Sequence, residues 1–322
     1  MSTPTGPAHR AATEDGLPQT IRIGTRASTL ARTQAAAVAD AMTQELAAGR
    51  TVELVPMTSS GDQTTASLAS LGGTGVFAAA LRVALLEGEC DVVVHSLKDL
   101  PTTAHPGLVV AATPQRADAR DALCARDGLT LAELPPGAAI GTGSPRRAAQ
   151  ALTLRPDLQV IDIRGNVQTR LAKVTDGELD AVILAAAGLQ RIGYHHVITE
   201  LLDVQTWPTA PGQGALAVEI HEDDAPAYAT LLSAINDPAT AAATTAERQV
   251  LATLEAGCAA PLGARAAVDG DTLTVAGTAY RPGGGDQISA FATGPAQEAL
   301  TLGARVAEDL LDGGADQWLE RQ

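Results

Sequence analysis

Short apolar runs alternate with alanine-rich amphipathic stretches along the first two thirds of the chain, the order expected of parallel strands joined by helices. Thr20 to Gly24 reads as a strand, and Ser28 caps a helix that runs to about Ala48 before Gly49. A second strand spans Thr51 to Met57. The glycine-rich stretch Gly72-Gly73-Thr74-Gly75 then leads into a helix near Val76 to Glu87. Asp91 to His95, with the unbroken run Val92-Val93-Val94, reads as a buried parallel strand. The same βαβαβ order recurs as strand Ala138 to Gly141, helix Ser144 to Leu154, strand Gln159 to Ile163, helix Asn166 to Thr175 and strand Asp180 to Ala185.

Two such units in tandem place strand C-termini and helix N-termini where open α/β sheets bind ligands, and paired units commonly share a cleft. Val110 to Asp118 and Gln205 to Gly212, rich in Pro, Thr and Gln, read as linkers crossing between the units, able to serve as hinges. From Asn236 the pattern changes to a helix, then strands over Ala264 to Val268 and Thr272 to Ala276 joined at Asp269-Gly270, a hairpin signal. Gly283-Gly284-Gly285 marks a turn before a strand at Gln287 to Thr293, and Pro295 to Leu311 reads as a closing amphipathic helix. The predicted organisation is a disordered tail (1–19), a first domain (20–114 with 213–234), a second (115–212) and a small α+β third domain with an antiparallel sheet (235–322).

A length of 322 residues suits two or three domains, each able to bury a core. No apolar run approaches the roughly 20 residues that span a bilayer, and Met1 to Gln19 lacks the apolar centre of a secretory signal. A soluble cytoplasmic protein is expected. A net charge of -15 and an aromatic content of 2% disfavour nucleic acid and anionic membrane as partners. Cys90, Cys124 and Cys258 are widely spaced without a CxxC, and the adjacent His195-His196 lack the i, i+4 spacing of a zinc pair. Neither a disulfide framework nor a metal site is expected.

The candidate chemistry sits at strand-to-helix corners. In Gly141-Thr142-Gly143-Ser144-Pro145-Arg146-Arg147, Ser144 caps a helix, Pro145 takes its first position and both arginines fall in its first turn. Free N–H groups, the positive helix end and two guanidinium forks suit a carboxylate or phosphate; the plainer alternative is a solvated helix start. Arg164-Gly165-Asn166-Val167-Gln168-Thr169-Arg170 repeats the device with Asn166 as cap, and Arg26 in Gly24-Thr25-Arg26-Ala27-Ser28 gives a third instance. Five arginines at three such corners of an acidic chain point to a shared site for a carboxylate-rich small molecule.

Asp99, in His95-Ser96-Leu97-Lys98-Asp99-Leu100-Pro101, lies just past the buried third strand, as a counter-ion for arginines or as a group that steadies a cation formed by the substrate. Lys98 beside it is suited to a carboxylate or, second, to a Schiff base. Cys258 follows a helix ending at Gly257, and a helix C-terminus does not activate a thiol. That leaves a buried small side chain or an attachment point. Gly73-Thr74-Gly75 and Gly212-Gln213-Gly214 match the dinucleotide fingerprint loosely. The Gly141 turn matches it better, with Asp162 about twenty residues on, but Arg146 stands at the third glycine.

Taken in order, Gly24 to Ser28, Val94 to Pro101, Gly141 to Arg147, Arg164 to Arg170, Pro211-Gly212-Gln213-Gly214-Ala215, Thr245-Ala246-Glu247-Arg248 and Gly257-Cys258 closely resemble the porphobilinogen deaminase (hydroxymethylbilane synthase) family, over about Ile21 to Leu311. The resemblance implies two domains like type II solute-binding proteins around a cleft, with a third carrying the cofactor cysteine. It implies a dipyrromethane held by Cys258 through a thioether, and condensation of four porphobilinogen molecules with loss of ammonia, then hydrolysis to hydroxymethylbilane. Asp99 is the implied catalytic residue, stabilising the cationic methylene-pyrrolenine and moving protons. Ser96, Lys98, Thr142, Ser144, Arg146, Arg147 and Asn166 are implied to hold the cofactor, and Arg26, Ser28, Arg164, Arg170 and Gln213 the substrate, in a monomer. Thr74 replaces a frequent lysine, Gly143 a frequent serine and Ala259 a frequent glutamine. The rival readings are a cytosolic polycarboxylate-binding protein of the solute-binding fold and a nucleotide-dependent oxidoreductase.

Overall fold

The structure, a computed structural model, describes residues 16–57, 76–257 and 260–319. They form two compact units, one of residues 16–57, 76–115 and 216–237, the other of 116–215 and 238–319. Strands and helices are numbered in chain order.

The first unit contains β1 (Thr20–Arg26), α1 (Thr29–Glu45), β2 (Thr51–Met57), α2 (Val76–Leu86), β3 (Val92–Ser96), β4 (Leu108–Ala112), β10 (Leu216–His221) and α6 (Ala225–Ile235). Its sheet has the order β2-β1-β3-β10-β4. β1, β2 and β3 are parallel, as expected, but β10 lies antiparallel between β3 and β4. The expected βαβαβ unit is thus extended by two strands. β4 also takes up the start of the segment read as a linker from Val110, and α6 was not foreseen. Gln34, Ala35, Val38 and Met42 are the buried residues of α1, a helical spacing that packs with α6 onto Ile21, Ile23, Val92, Val94 and Val218. Leu17 is buried in that core, so the tail does not extend to residue 19. Residues 1–15 and the Gly72 to Gly75 stretch lie outside the described residues.

In the second unit β5 (Asp121–Ala125), β6 (Ala139–Gly141), α3 (Pro145–Leu154), β7 (Gln159–Ile161), α4 (Val167–Thr175), β8 (Ala181–Ala185), α5 (Ala186–Arg191) and β9 (Glu200–Leu201) build a sheet of order β7-β6-β8-β5-β9. β6, β7 and β8 are parallel and β5 is antiparallel between β8 and β9. In both sheets the antiparallel strand is the first one after the chain crosses from the other unit. α7 (Pro238–Thr253), β11 (Leu262–Asp269), β12 (Thr272–Tyr280), β13 (Gln287–Pro295) and α8 (Ala299–Asp312) follow, with both predicted turns present. Val250 of α7, Leu254 just past its end, and Val306 and Leu310 of α8 pack on Leu273 and Val275 of this antiparallel sheet. Two α/β sheets of like topology with a small α+β part are the fold class the sequence predicts.

One carboxylate ties the second unit together. Glu247 of α7 is fully buried and accepts hydrogen bonds from Arg116 Nη1 (2.6 Å) and Nη2 (3.0 Å), the Gly212 N–H (2.7 Å) and the Ala266 N–H (2.8 Å). Arg116 and Gly212 belong to the two segments read as linkers, so both converge on the same side chain. Four donors, two from a charged fork, compensate its burial.

Candidate active site

In the first unit β3 ends in a 3-10 turn, Leu97–Asp99, closed by a Leu100 N–H to Leu97 C=O bond of 3.2 Å. Leu97 and Leu100 are buried and pin the turn, leaving Ser96 and Lys98 half-buried and Asp99 exposed. β1 runs parallel beside β3, so Arg26, at its end, and Ser28 lie at the same C-terminal sheet edge as Ser96 to Asp99. Ser28 caps α1 as expected, its Oγ accepting the Ala31 N–H at 3.3 Å.

In the second unit the parallel pair β6 and β7 delivers the next two corners to one sheet edge. Ser144 caps α3, and its own N–H bonds to Oγ1 of the buried Thr142 at 3.2 Å. Asn166 caps α4 through Oδ1, which accepts the Thr169 N–H (2.8 Å) and hydroxyl (3.0 Å). Arg170 Nε reaches the Gly165 carbonyl at 2.8 Å. Arg164 donates to the Gly143 carbonyl (3.5 Å) and to Asp162 (3.2 Å), while its Nε is buried without a hydrogen-bond partner. A Cβ at Gly143 would lie 2.7 Å from the Ile163 carbonyl oxygen. The missing serine is therefore more than a lost hydroxyl, because this loop has no room for it. Gly143→Ser should lower the melting temperature and turnover together, measurable by thermal denaturation and a product assay.

Arg146 and Arg147 occupy the first turn of α3 as expected, but their guanidinium groups face the interior, 3% and 6% exposed as residues. Asp121 at the start of β5, fully buried, receives them. Its Oδ2 accepts from Arg146 Nη2 (2.9 Å) and Trp207 Nε1 (2.9 Å), and its Oδ1 from Arg147 Nη2 (2.6 Å), Arg147 Nε (3.0 Å) and Gln213 Nε2 (2.8 Å). Arg146 Nη1 also bonds Gln150 (2.7 Å) and the Pro208 carbonyl (2.8 Å), and Arg147 Nη1 the Ile183 carbonyl (3.1 Å). Burial alone would raise the Asp121 carboxyl, but the fields of Arg146 and Arg147 and the hydrogen bonds outweigh it and hold it far below the usual carboxylate range. Two guanidinium groups against one carboxylate leave a surplus positive charge under α3. Gln213, implied by the resemblance to hold the substrate, is instead fully buried beside Asp121 and also bonds the Ala119 carbonyl at 2.7 Å.

The structure adds residues the sequence does not single out. Asp121 is one, and Glu247, marked in the sequence only as part of the Thr245 to Arg248 motif, is given a role by its four donors. A second is Arg191 at the end of α5, half-buried, donating to the Gly214 carbonyl at 2.8 Å, its basicity lowered by burial. An arginine at a helix C-terminus is ordinary in a sequence, so nothing marked it. Cys258 and Ala259 lie outside the described residues.

Residues 21–229 match the family model for the porphobilinogen deaminase dipyromethane cofactor binding domain, and 241–312 that for the porphobilinogen deaminase C-terminal domain. Porphobilinogen deaminase of Leifsonia xyli is 54% identical over 307 residues, covering 92% of this chain and 93% of its own. That of Thermobifida fusca is 52% identical, covering 92% and 94%. Porphobilinogen deaminase 1 of Streptomyces coelicolor is 51% identical, covering 92% and 96%. Among solved structures, an ancestral cationic amino acid solute-binding protein aligns with 68% of this chain and 87% of its own at a TM-score of 0.41 and 19% identity. Both domain models match in order and relatives about half identical run nearly end to end with it, so the chain belongs to the porphobilinogen deaminase family.

Proposed function

We propose that this protein is the transferase that joins four porphobilinogen molecules head to tail, releasing ammonia at each joining, and frees hydroxymethylbilane for tetrapyrrole synthesis. The observation that carries this is the family match over 21–229 and 241–312. The primer is a dipyrromethane attached to Cys258 through a thioether, and when bound it supplies the nucleophilic pyrrole carbon. The residues present fit such a group: capped helix starts at Ser28, Ser144 and Asn166 favour anions, and a carboxylate would satisfy the partnerless Arg164 Nε.

Each porphobilinogen carries an acetate and a propionate. Arg26, Ser28, Arg164 and Arg170 bind and orient these in the substrate, while Ser96, Lys98, Thr142, Ser144 and Asn166 hold the cofactor. Gln213, buried with its amide bonded to Ala119, Asp121 and Arg147, acts instead by fixing the Asp121–Arg147 pair. Arg146 and Arg147 contribute to cofactor binding through the surplus charge beneath α3; a direct contact would require either to leave Asp121. Asp99, exposed on a pinned turn, stabilises the cation that remains when ammonia departs and carries protons to and from it. We assign the activity to a cytoplasmic monomer without nucleic-acid or membrane partners, supported by the net charge of -15. Among the described residues no helix is long and apolar enough to cross a membrane.

Intact mass measurement of wild type and Cys258→Ala, with an aldehyde colour reaction for pyrroles, tests the attachment. Added mass and colour are expected on wild type only. An unmodified wild type, freshly made in cells that synthesise porphobilinogen, overturns the assignment.

A further inference from the structure

β10 carries an ionisable side chain where a strand buried within a sheet would ordinarily carry an apolar one. Glu219 is 2% exposed, and its carboxylate gathers one group from each of two other elements. Arg82 of α2 sends Nε to Oε1 and Oε2, both at 3.1 Å, and Nη2 to Oε1 at 2.8 Å. His95 of β3 places Nε2 3.1 Å from Oε2. Burial alone would raise Glu219, but hydrogen bonds from His95 and Arg82 bring its carboxyl down to about 2. It is therefore an ionised acceptor at neutral pH, and the shared proton belongs to His95 Nε2, which donates.

Stability does not explain this cluster. A buried ion pair commonly contributes no more than apolar side chains of similar volume, because desolvation offsets the Coulombic gain. Its place in the fold suggests another purpose. His95 immediately precedes Ser96, where the 3-10 turn bearing Asp99 begins, and its backbone is opposite Ala217 of β10. A donor bond from His95 to a carboxylate that Arg82 also anchors fixes the end of β3 against both β10 and α2. We propose that His95 and Glu219 are positioning residues that hold the Ser96 to Asp99 turn, and so the Asp99 carboxylate, where the reaction needs it. This rests on Asp99 being the catalytic carboxylate.

The test uses cofactor-loaded holoenzyme, checked by intact mass. His95→Phe removes the donor at similar volume, whereas His95→Gln retains an N–H able to reach Glu219. In Glu219→Asp the charge stays paired with Arg82 but is drawn back by one methylene. His95→Phe and Glu219→Asp should lower kcat about 100-fold, the scale of a misplacement near 1 Å, with KM unchanged. His95→Gln should recover most of the loss, and melting temperatures should stay close to wild type. Wild-type kcat in folded Glu219→Asp, or equal losses in His95→Phe and His95→Gln, would overturn the proposal. Asp99→Asn in the same assay separates the two ideas: unchanged turnover there removes the role of Asp99 itself, while a collapse there beside a normal His95→Phe removes only the positioning.

Discussion

Asp121→Ala should destabilise the protein by about 3–5 kcal/mol, the range seen when one partner of a buried ion pair is removed. Arg146 and Arg147 would then face each other as two buried cations without their shared counter-ion, and Trp207 Nε1 and Gln213 Nε2 would lose an acceptor. Denaturant unfolding of the second unit, followed by fluorescence, would show the transition at much lower denaturant. An unshifted midpoint would mean the arginines have another counter-ion. The same carboxyl predicts an acid response. Its folded pKa lies below the unfolded value of about 3.8, so its contribution is complete above that pH and is lost as pH falls further. Wild type should accordingly lose stability in strong acid more steeply than Asp121→Asn.

Asp99→Asn should leave folding intact, since the side chain is exposed, yet lower kcat about 100- to 1,000-fold, the usual cost of one preorganised charge-stabilising group. Asparagine keeps the shape and loses the charge. Saturating turnover of porphobilinogen, with a melting curve alongside, measures both. Turnover near that of wild type would transfer the charge-stabilising role to another group.

The parallel strands and their helices were legible because local signals mark them. Ser28, Ser144 and Asn166 all cap the helices their positions implied. β5 and β10 were not: β10 has the buried Glu219 inside its apolar run, and β5 is a strand of five residues that opens on the buried Asp121. What makes those carboxylates tolerable lies far along the chain, Arg147 being 26 residues from Asp121 and Arg82 being 137 from Glu219. Corner geometry likewise placed Arg146 and Arg147 correctly on α3 but not the direction of their guanidinium groups, because their counter-ion sits on an unrecognised strand. The described partners of Arg164 and Arg170 lie in their own corner or in the neighbouring Gly141 corner, and none of these is a carboxylate on an unrecognised strand.

The position of β10 also governs the order in which the chain can acquire its structure during synthesis. β3 and β4 are separated in the finished sheet by a strand made more than a hundred residues later, after the whole 116–215 segment has emerged. Until Leu216–His221 leaves the ribosome, β3 has one unsatisfied edge and β4 has no sheet partner. Such edges are templates for mispairing, and long-range closure is slow. The amino-terminal sheet is thus first in the sequence, but its last strand is made only after every strand of the second α/β sheet, and its nascent strands stay open to mispairing until the chain returns.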